Sequence, residues 1–425
     1  MNLSTSLRLP KSGKNRIAFV GAGGKTTAMF QLARELAPAL VTTSTHLGAW
    51  QTSGADRHFV WPEGNPLPDL EAWIGSGVTL ITGNVEAETE RLLGLSPSQL
   101  ARMADLAGYH DLPLLVEADG ARQRPLKAPA DYEPVIPDFT DLVVVVAGLS
   151  GLGKPLLPEW VHRAERFSTL SGLKSGVTIT PEAIAAVLTH PEGGLRNIPA
   201  WAQSMVLLNQ ADTVDLQAAG QGLARQLLPA FSAVVITSQV PSGSLQASLG
   251  MDPLPSLVVH AVHEPVAGIL LAAGGATRIG RPKQLLTWDG ESFVRRVALT
   301  ALEAGLSPLI VVTGAWGEEV GKALDDLPVR IANNPDWETG QGSSVRTGVQ
   351  ALPAACGAAL FLLADQPQIP STLVDALLAE HARTLSPIVA PLVDGRRGNP
   401  VCFDRVTFPE LLALTGDTGG RALFS

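Results

Sequence analysis

Cysteine is scarce in this chain: Cys356 and Cys402 are the only two in 425 residues. They show no pairing pattern and no Cys-x-x-Cys spacing, which excludes a cysteine-based zinc site and fits a reducing compartment. Long apolar runs are also missing, and none approaches the ~20 residues that a membrane helix requires. The first fourteen residues are polar with scattered positive charge and lack the apolar stretch of a secretory leader. A cytoplasmic location without membrane association is therefore expected. Positive charge is outweighed, with 31 Lys and Arg against 40 Asp and Glu, a net of −9. That balance argues against nucleic acid as a partner and favours small ligands held at local basic spots. No internal repeat or low-complexity tract is visible. What remains is a globular composition, 45% hydrophobic and 17% charged, in a chain long for one core. Two or three domains are expected.

The most informative stretch begins at Gly268. Residues 269–271 form a short apolar run that reads as a buried strand. It empties into Ala272, Ala273, Gly274 and Gly275, whose small side chains let backbone N–H groups approach an anion closely. Arg278 and Lys283 then bring positive charge to the same place. Strand, small-residue loop and two cations in that order suit a triphosphate chain with charge developing at its α-phosphorus. Downstream, residues 291–304 have helical spacing, and residues 308–313 and 329–334 read as strands, a Rossmann-like rhythm. Gly340-Gln-Gly-Ser343-Ser344 enters a helix and offers amides and hydroxyls to a polar ligand, or simply caps that helix. The apolar strand 357–363 ends in Asp365, fixed by Pro367 two residues on.

An earlier strand, 16–20, runs straight into Gly21-Ala-Gly23-Gly24-Lys25-Thr26-Thr27, followed by helical spacing over 27–40. Strand, Gly-rich turn, Lys-Thr and helix is the arrangement that cradles phosphate on a helix N-terminus. Lys25 would neutralise outer phosphates, and Thr26 or Thr27 would offer a hydroxyl to Mg2+. The loop is compressed, because Phe19 stands where the standard phosphate loop has its first glycine. Residues 39–41 read as a further strand, with hydroxyls at its C-terminal end. Strand 113–116 ends in Glu117-Ala-Asp119-Gly120, where a carboxylate opposite a phosphate loop would hold Mg2+. Alternation on a strand would put Glu117 and Asp119 on one side. Strand 141–147 leads into a Gly- and Lys-containing stretch, residues 148–155, expected to be a mobile loop, and 162–166 reads as a charged helix face. Strand 205–208 ends in Asn209-Gln-Ala-Asp212, which resembles the element by which GTPases read guanine. Gln210 replaces its Lys, and the alternative is Asp212 capping a helix. Strand 234–237 follows. From 241 to 265 the chain turns irregular, rich in Pro, Gly and Ser around the short apolar piece 257–259.

The string at 272–283 resembles the signature of the sugar-nucleotide-type nucleotidyltransferases, and within them the molybdenum cofactor cytidylyltransferases with a MobA-like NTP transferase domain. The first half resembles the YqeC-type accessory proteins of selenium-dependent molybdenum hydroxylases, on residues 21–27, 117–121, 126–129 and 133–137. The resemblances imply an α/β protein of two Rossmann-like three-layer domains. Residues 1–250 would be P-loop-like, 251–265 a linker, and 266–425 a nucleotide-diphospho-sugar transferase-like domain. In the second domain, Asp365 would hold the Mg2+ that bridges the nucleotide phosphates. Ser343 and Ser344 would lie against base and ribose, while Gly398-Asn399-Pro400 would shape the pterin side, with Arg396 and Arg397 beside it. Residues 416–421 match a late Gly-Asp-x-Gly-x-Arg stretch. A further strand carrying Asp-x-Asp-Thr-Pro, present in the family, does not follow before Ser425, so the domain is expected to be C-terminally truncated.

The implied activity is transfer of CMP from CTP to molybdopterin phosphate with release of pyrophosphate. Ala273 is the side chain that would disfavour a purine. ATP and GTP stay open as the nucleotide of the first domain. Molybdopterin and a molybdenum hydroxylase apoenzyme are the implied partners. Two rival readings are a different phosphorylated acceptor and a nucleotide-gated cofactor carrier without transferase activity.

Overall fold

The computed structural model describes residues 1–10, 13–67, 75–86, 91–240, 254–275 and 282–424. The chain divides into two units, Met1–His263 and Glu264–Ser425, each built on its own sheet.

In the first unit the main sheet is formed by β1 (Arg16–Gly21), β2 (Ala39–Thr43), β3 (Arg57–Val60), β4 (Val78–Thr82), β5 (Leu114–Glu117), β6 (Leu142–Gly148), β7 (Gln203–Asn209), β8 (Ala233–Val240) and β9 (Ser256–His263). They lie in the order β9-β8-β7-β6-β1-β5-β2-β4-β3, parallel except for β9 on β8. The central strands are buried along their whole length, which is why they read as unbroken Val/Leu runs instead of alternating ones. Helix α1 (Lys25–Glu35) follows β1 directly, and α2 (Pro97–Tyr109) packs Leu100, Met103 and Ala107 against Leu114, Val116 and Trp61. Helix α3 (Val214–Leu227) connects β7 to β8.

Two expectations change here. The helix after the first glycine loop starts at Lys25 and ends at Glu35, not at residue 40, because Pro38 cannot continue it and Leu40 already belongs to β2. The stretch expected as a linker contains β9, an edge strand whose alternating Leu257, Val259 and Ala261 are buried.

The second unit has β10 (Val266–Ala272), β11 (Leu309–Thr313), β12 (Val329–Asn333), β13 (Ala358–Leu363), β14 (Ile388–Val389) and β15 (Val401–Asp404). The order is β12-β11-β10-β13-β15-β14, with β15 antiparallel to both neighbours. Alternate residues of these strands feed two separate cores. Leu270, Val311 and Leu360 pack with Val294, Val297 and Ala298 of α4 (Phe293–Glu303). Ile269, Ile310 and Val312 pack with Val345 and Val349 of α5 (Gln341–Gln350). Helix α6 (Ser371–Thr384) adds Val374 and Leu377 to the first of these cores. A sheet covered on both faces is the three-layer α/β arrangement. In both units the loops at the carboxyl ends of the parallel strands are where such a sheet presents a site.

Candidate functional sites

The second unit opens a cavity of about 500 Å³ at the carboxyl ends of β10 and β13. Ala272, Ala273, Gly274 and Gly275 line it, together with Lys283, Ser344 and Asp365. Gln284, a neighbour of Lys283 in the same motif, is buried and holds the loop in place. Its Nε2 donates to the carbonyls of Ala272 at 3.2 Å and Gly274 at 3.1 Å. The loop's small residues are also a packing requirement. A Cβ on Gly275 would meet the Trp337 ring at 2.6 Å, and Trp337 itself lines the cavity.

Asp365 is exposed two residues beyond the end of β13, with the buried Ala364 between them. Asp417, from the late Gly-Asp stretch, lines the same cavity and accepts from the Gln341 N–H at 3.4 Å. Of the serine pair, Ser344 faces the cavity, whereas Ser343 Oγ donates to the Gly340 and Asp336 carbonyls. Asn334 ties both together, its Nδ2 reaching Ser343 Oγ at 2.9 Å and Ser344 Oγ at 3.0 Å. Gly398, Asn399 and Pro400 are not among the residues lining this cavity; they follow a hairpin, 392–397, whose turn uses Asp394 and Gly395 at positive φ. Arg278 lies outside the described residues.

The first unit has a larger cavity, about 760 Å³, above the carboxyl ends of its central strands. Gly21, Gly23 and Gly24 all have positive φ, at 95°, 83° and 122°. A Cβ on Gly24 would stand 2.2 Å from Asn209 Nδ2, which donates to the Gly23 carbonyl at 2.8 Å. Helix α1 therefore begins at a glycine with no side-chain cap, a kind of helix end that can receive an anion. Gly23, Gly24, Lys25, Thr26 and Thr27 all line the cavity.

The carboxylates part company here. Glu117 lines the cavity and accepts from Thr26 Oγ1 at 2.7 Å, a hydroxyl that in turn accepts from Gln51 Nε2 at 2.7 Å. Burial pushes the Glu117 carboxyl above its ordinary range, against the pull of Lys25. Asp119 does not share that face. It is buried, accepting the Gly21 N–H at 3.0 Å, Lys25 Nζ at 3.2 Å and Lys127 Nζ at 2.7 Å. The strand ends at Glu117, so the alternation that would keep the two residues on one side no longer applies. With three donors inside the protein, Asp119 anchors the loop. Lys25 is correspondingly held: burial opposes its charge, but Asp119 and Glu117 outweigh it and raise its pKa.

The chain of opposite charges continues. Lys127 bridges to Glu133 at 2.7 Å, and Glu133 accepts from Arg163 at 2.9 Å and 3.2 Å. Arg163, expected on a solvated helix face, sits before its helix at φ 61° and is part of this network. Nor does Asp212 cap a helix. Thr213 caps α3, while Asp212 Oδ1 accepts the Gln239 N–H at 2.9 Å. The stretch expected to be mobile is tied down, with Ser150 Oγ donating to Gln210 at 2.6 Å and the Gly148 N–H to the Pro125 carbonyl at 2.8 Å. No helix among the described residues is long and apolar enough to cross a membrane, and these residues hold no group of three or more metal-ligating side chains.

Comparison with known proteins divides at the same place. The YqeC protein family matches residues 17–165, and the MobA-like NTP transferase domain family matches residues 268–425. YqeC of Escherichia coli (strain K12) is 31% identical over 201 residues, 46% of this chain and 75% of that protein. Nicotine blue oxidoreductase of Paenarthrobacter nicotinovorans is 36% identical over 164 residues, 37% of this chain and 79% of that protein. The purine catabolism protein PucB of Bacillus subtilis (strain 168) is 32% identical over 164 residues, again 37% of this chain and 78% of that protein. Among solved structures, Rv0371c of Mycobacterium tuberculosis H37Rv is 26% identical, covering 37% of this chain and 81% of that one, with a TM-score of 0.35.

Proposed function

The chain belongs to the YqeC family in its first unit and to the MobA-like NTP transferase family in its second, and from that premise we propose that the second unit transfers CMP from CTP to the terminal phosphate of molybdopterin. The observation that carries this reading is the convergence of loop 272–275, Lys283, Ser344 and Asp365 on one cavity. An acceptor phosphate oxygen attacks the α-phosphorus of CTP, the bond from that phosphorus to the bridging oxygen breaks, and pyrophosphate leaves. Loop amides and Lys283 offset the charge that builds up on the phosphates, a task fixed donors perform better than reorienting water. Arg278, three positions after Gly275 in the sequence, is the second cation of the same motif. The acceptor is already an anion, so no side-chain base is required.

Mg2+ typically takes one or two carboxylates and completes its shell with water and substrate phosphates. Asp365 with Asp417 fits that donor set, and the ion when bound supplies charge neutralisation at the phosphates. Ala273, buried at the loop, is the side chain that disfavours a purine base. The first unit binds a nucleotide, ATP or GTP, on Gly23–Thr27 and serves a molybdenum hydroxylase apoenzyme as an accessory.

The test is pyrophosphate release from CTP and from GTP, with Mg2+ and molybdenum-loaded molybdopterin. Release with CTP and not GTP supports the proposal. Release with GTP alone, or only with a sugar phosphate as acceptor, overturns it. Cofactor binding without any pyrophosphate release would instead make the second unit a carrier.

A further inference from the structure

The cavity of the first unit carries more positive charge than a phosphate loop uses. Lys25, Arg91, Arg122, Arg124 and Arg163 line it against Glu117 and Glu133, five cations to two acids, in a chain whose overall charge is −9. Lys25 is bound to Asp119, and Arg163 to Glu133. Among the described residues, Arg122 and Arg124 have no acidic partner. They flank Gln123 on the loop after β5, and Arg122 and Gln123 are both held at positive φ, 48° and 59°. Two consecutive non-glycine residues in that region are strained, and the surrounding structure must hold them there.

On the phosphate-loop side of the same cavity, Thr27 is only 8% exposed, and its hydroxyl has no hydrogen-bond partner among the described residues. It lies on the first turn of the uncapped α1. Both the amide end and the arginine loop thus present unsatisfied donors to one cavity.

We propose that this cavity holds two anionic groups at once: the outer phosphates of a nucleoside triphosphate on Gly23–Thr27, and the phosphomonoester of a second molecule on Arg122 and Arg124. The first half of this statement rests on the nucleotide reading given above. The second is independent of it. A guanidinium fork matches a phosphate bidentately, and two arginines without carboxylate partners lose no internal ion pair when a phosphate arrives. His162, which lines the cavity, supplies a local reporter. Burial, then Arg163, then Lys127 lower its pKa to about 4, with Glu133 opposing and Arg122 adding to the effect. An anion bound at Arg122 and Arg124 cancels part of that positive field and raises the His162 pKa.

The experiment is an NMR titration of the full chain with inorganic phosphate, alone and in the presence of ATP or GTP, following the His162 ring and the amides of Gly23 and Gly24. Phosphate should raise the His162 pKa even when nucleotide saturates the Gly23 and Gly24 signals. The Arg122→Ala/Arg124→Ala variant, altered only on a loop, should weaken that phosphate response by roughly tenfold or more and leave nucleotide affinity within about threefold. A His162 response abolished by saturating nucleotide, or unchanged in the double variant, overturns the second subsite. Loss of nucleotide and phosphate binding together in the double variant means a single site and overturns it as well. If neither ATP nor GTP moves the Gly23 and Gly24 amides, the nucleotide reading falls, and the response of His162 to phosphate still decides the arginine subsite by itself.

Discussion

Lys127 is the residue whose removal best tests the charge network beneath the first unit's cavity. Its Nζ sits 2.7 Å from Asp119, 2.7 Å from Glu133 and 2.5 Å from the Gly120 carbonyl, with the side chain buried. Substituting Met keeps most of the volume and deletes the charge. Breaking a buried ion pair from one side costs about 3–5 kcal/mol, because the partner is left buried without compensation. Both carboxylates keep another partner here: Asp119 retains Lys25 and the Gly21 N–H, and Glu133 retains Arg163. The expected loss for Lys127→Met is therefore near the lower bound, about 3 kcal/mol.

The loss should appear in native-state hydrogen exchange as faster opening of the Val143–Val146 amides in β6, with the β10 and β13 amides of the second unit as internal control. A second variant checks the cause. Lys127→Met/Glu133→Gln removes the excess negative charge that Lys127→Met leaves in the network and should recover about 1–2 kcal/mol. The pH dependence adds a signature. Burial pushes the Glu133 carboxyl up, but Lys127 and Arg163 outweigh it and hold it below the ordinary glutamate range. Stability from that group is present above the ordinary carboxylate pKa and is lost as pH falls through the lower folded value. Without Lys127 the folded value moves back up, so the variant should lose less on acidification. A cost for Lys127→Met under about 1 kcal/mol, the range of an exposed pair, would refute the network as a buried structural element.

Three further outcomes are expected. Gly24→Ala places a Cβ 2.2 Å from Asn209 Nδ2 at a φ of 122°, and should destabilise the first unit by about 2–4 kcal/mol while weakening nucleotide binding, read by denaturation and by titration with ATP and GTP. Gln284→Ala frees the Ala272 and Gly274 carbonyls and should lower kcat/KM for pyrophosphate release by roughly tenfold, with second-unit stability lowered by about 1–3 kcal/mol. His263 has a buried Nε2 without a hydrogen-bond partner among the described residues, and burial, helped by Arg225, lowers its pKa from 6.5 to about 4. The unfolded chain binds that proton more tightly, so stability should fall by about 3 kcal/mol as pH drops from 6.5 to 4, and His263→Phe should flatten this window in urea unfolding.

The parts of this molecule legible from sequence are those in which one physical demand dominates. Strands buried on both faces must be apolar throughout, so the runs at β1, β6, β10, β11 and β13 announce themselves. Loops that bring amides to an anion must be small and glycine-rich, so residues 21–24 and 272–275 do likewise. Edge strands satisfy two demands at once, and β9 alternates half-buried residues inside a Pro/Ser-rich stretch, which reads as irregular chain.

Partnerships across distance have no local spelling at all. Nothing near Asp119 says that Lys25, 94 positions earlier, and Lys127 will both take its oxygens, and nothing near Thr26 names Gln51. Carboxylates after a strand look equivalent on paper; in the fold one stays at the cavity wall and the other is spent inside. The same reasoning applies to cations in reverse. Lys25, Lys127 and Arg163 are committed to internal partners, whereas Arg122 and Arg124 have no acidic partner among the described residues, although all five lie within or beside segments that read as basic. Which charges a ligand meets is thus settled by what the protein has already paired. A substitution at Arg122 or Arg124 should therefore alter binding with little effect on stability, and one at Lys127 should do the opposite.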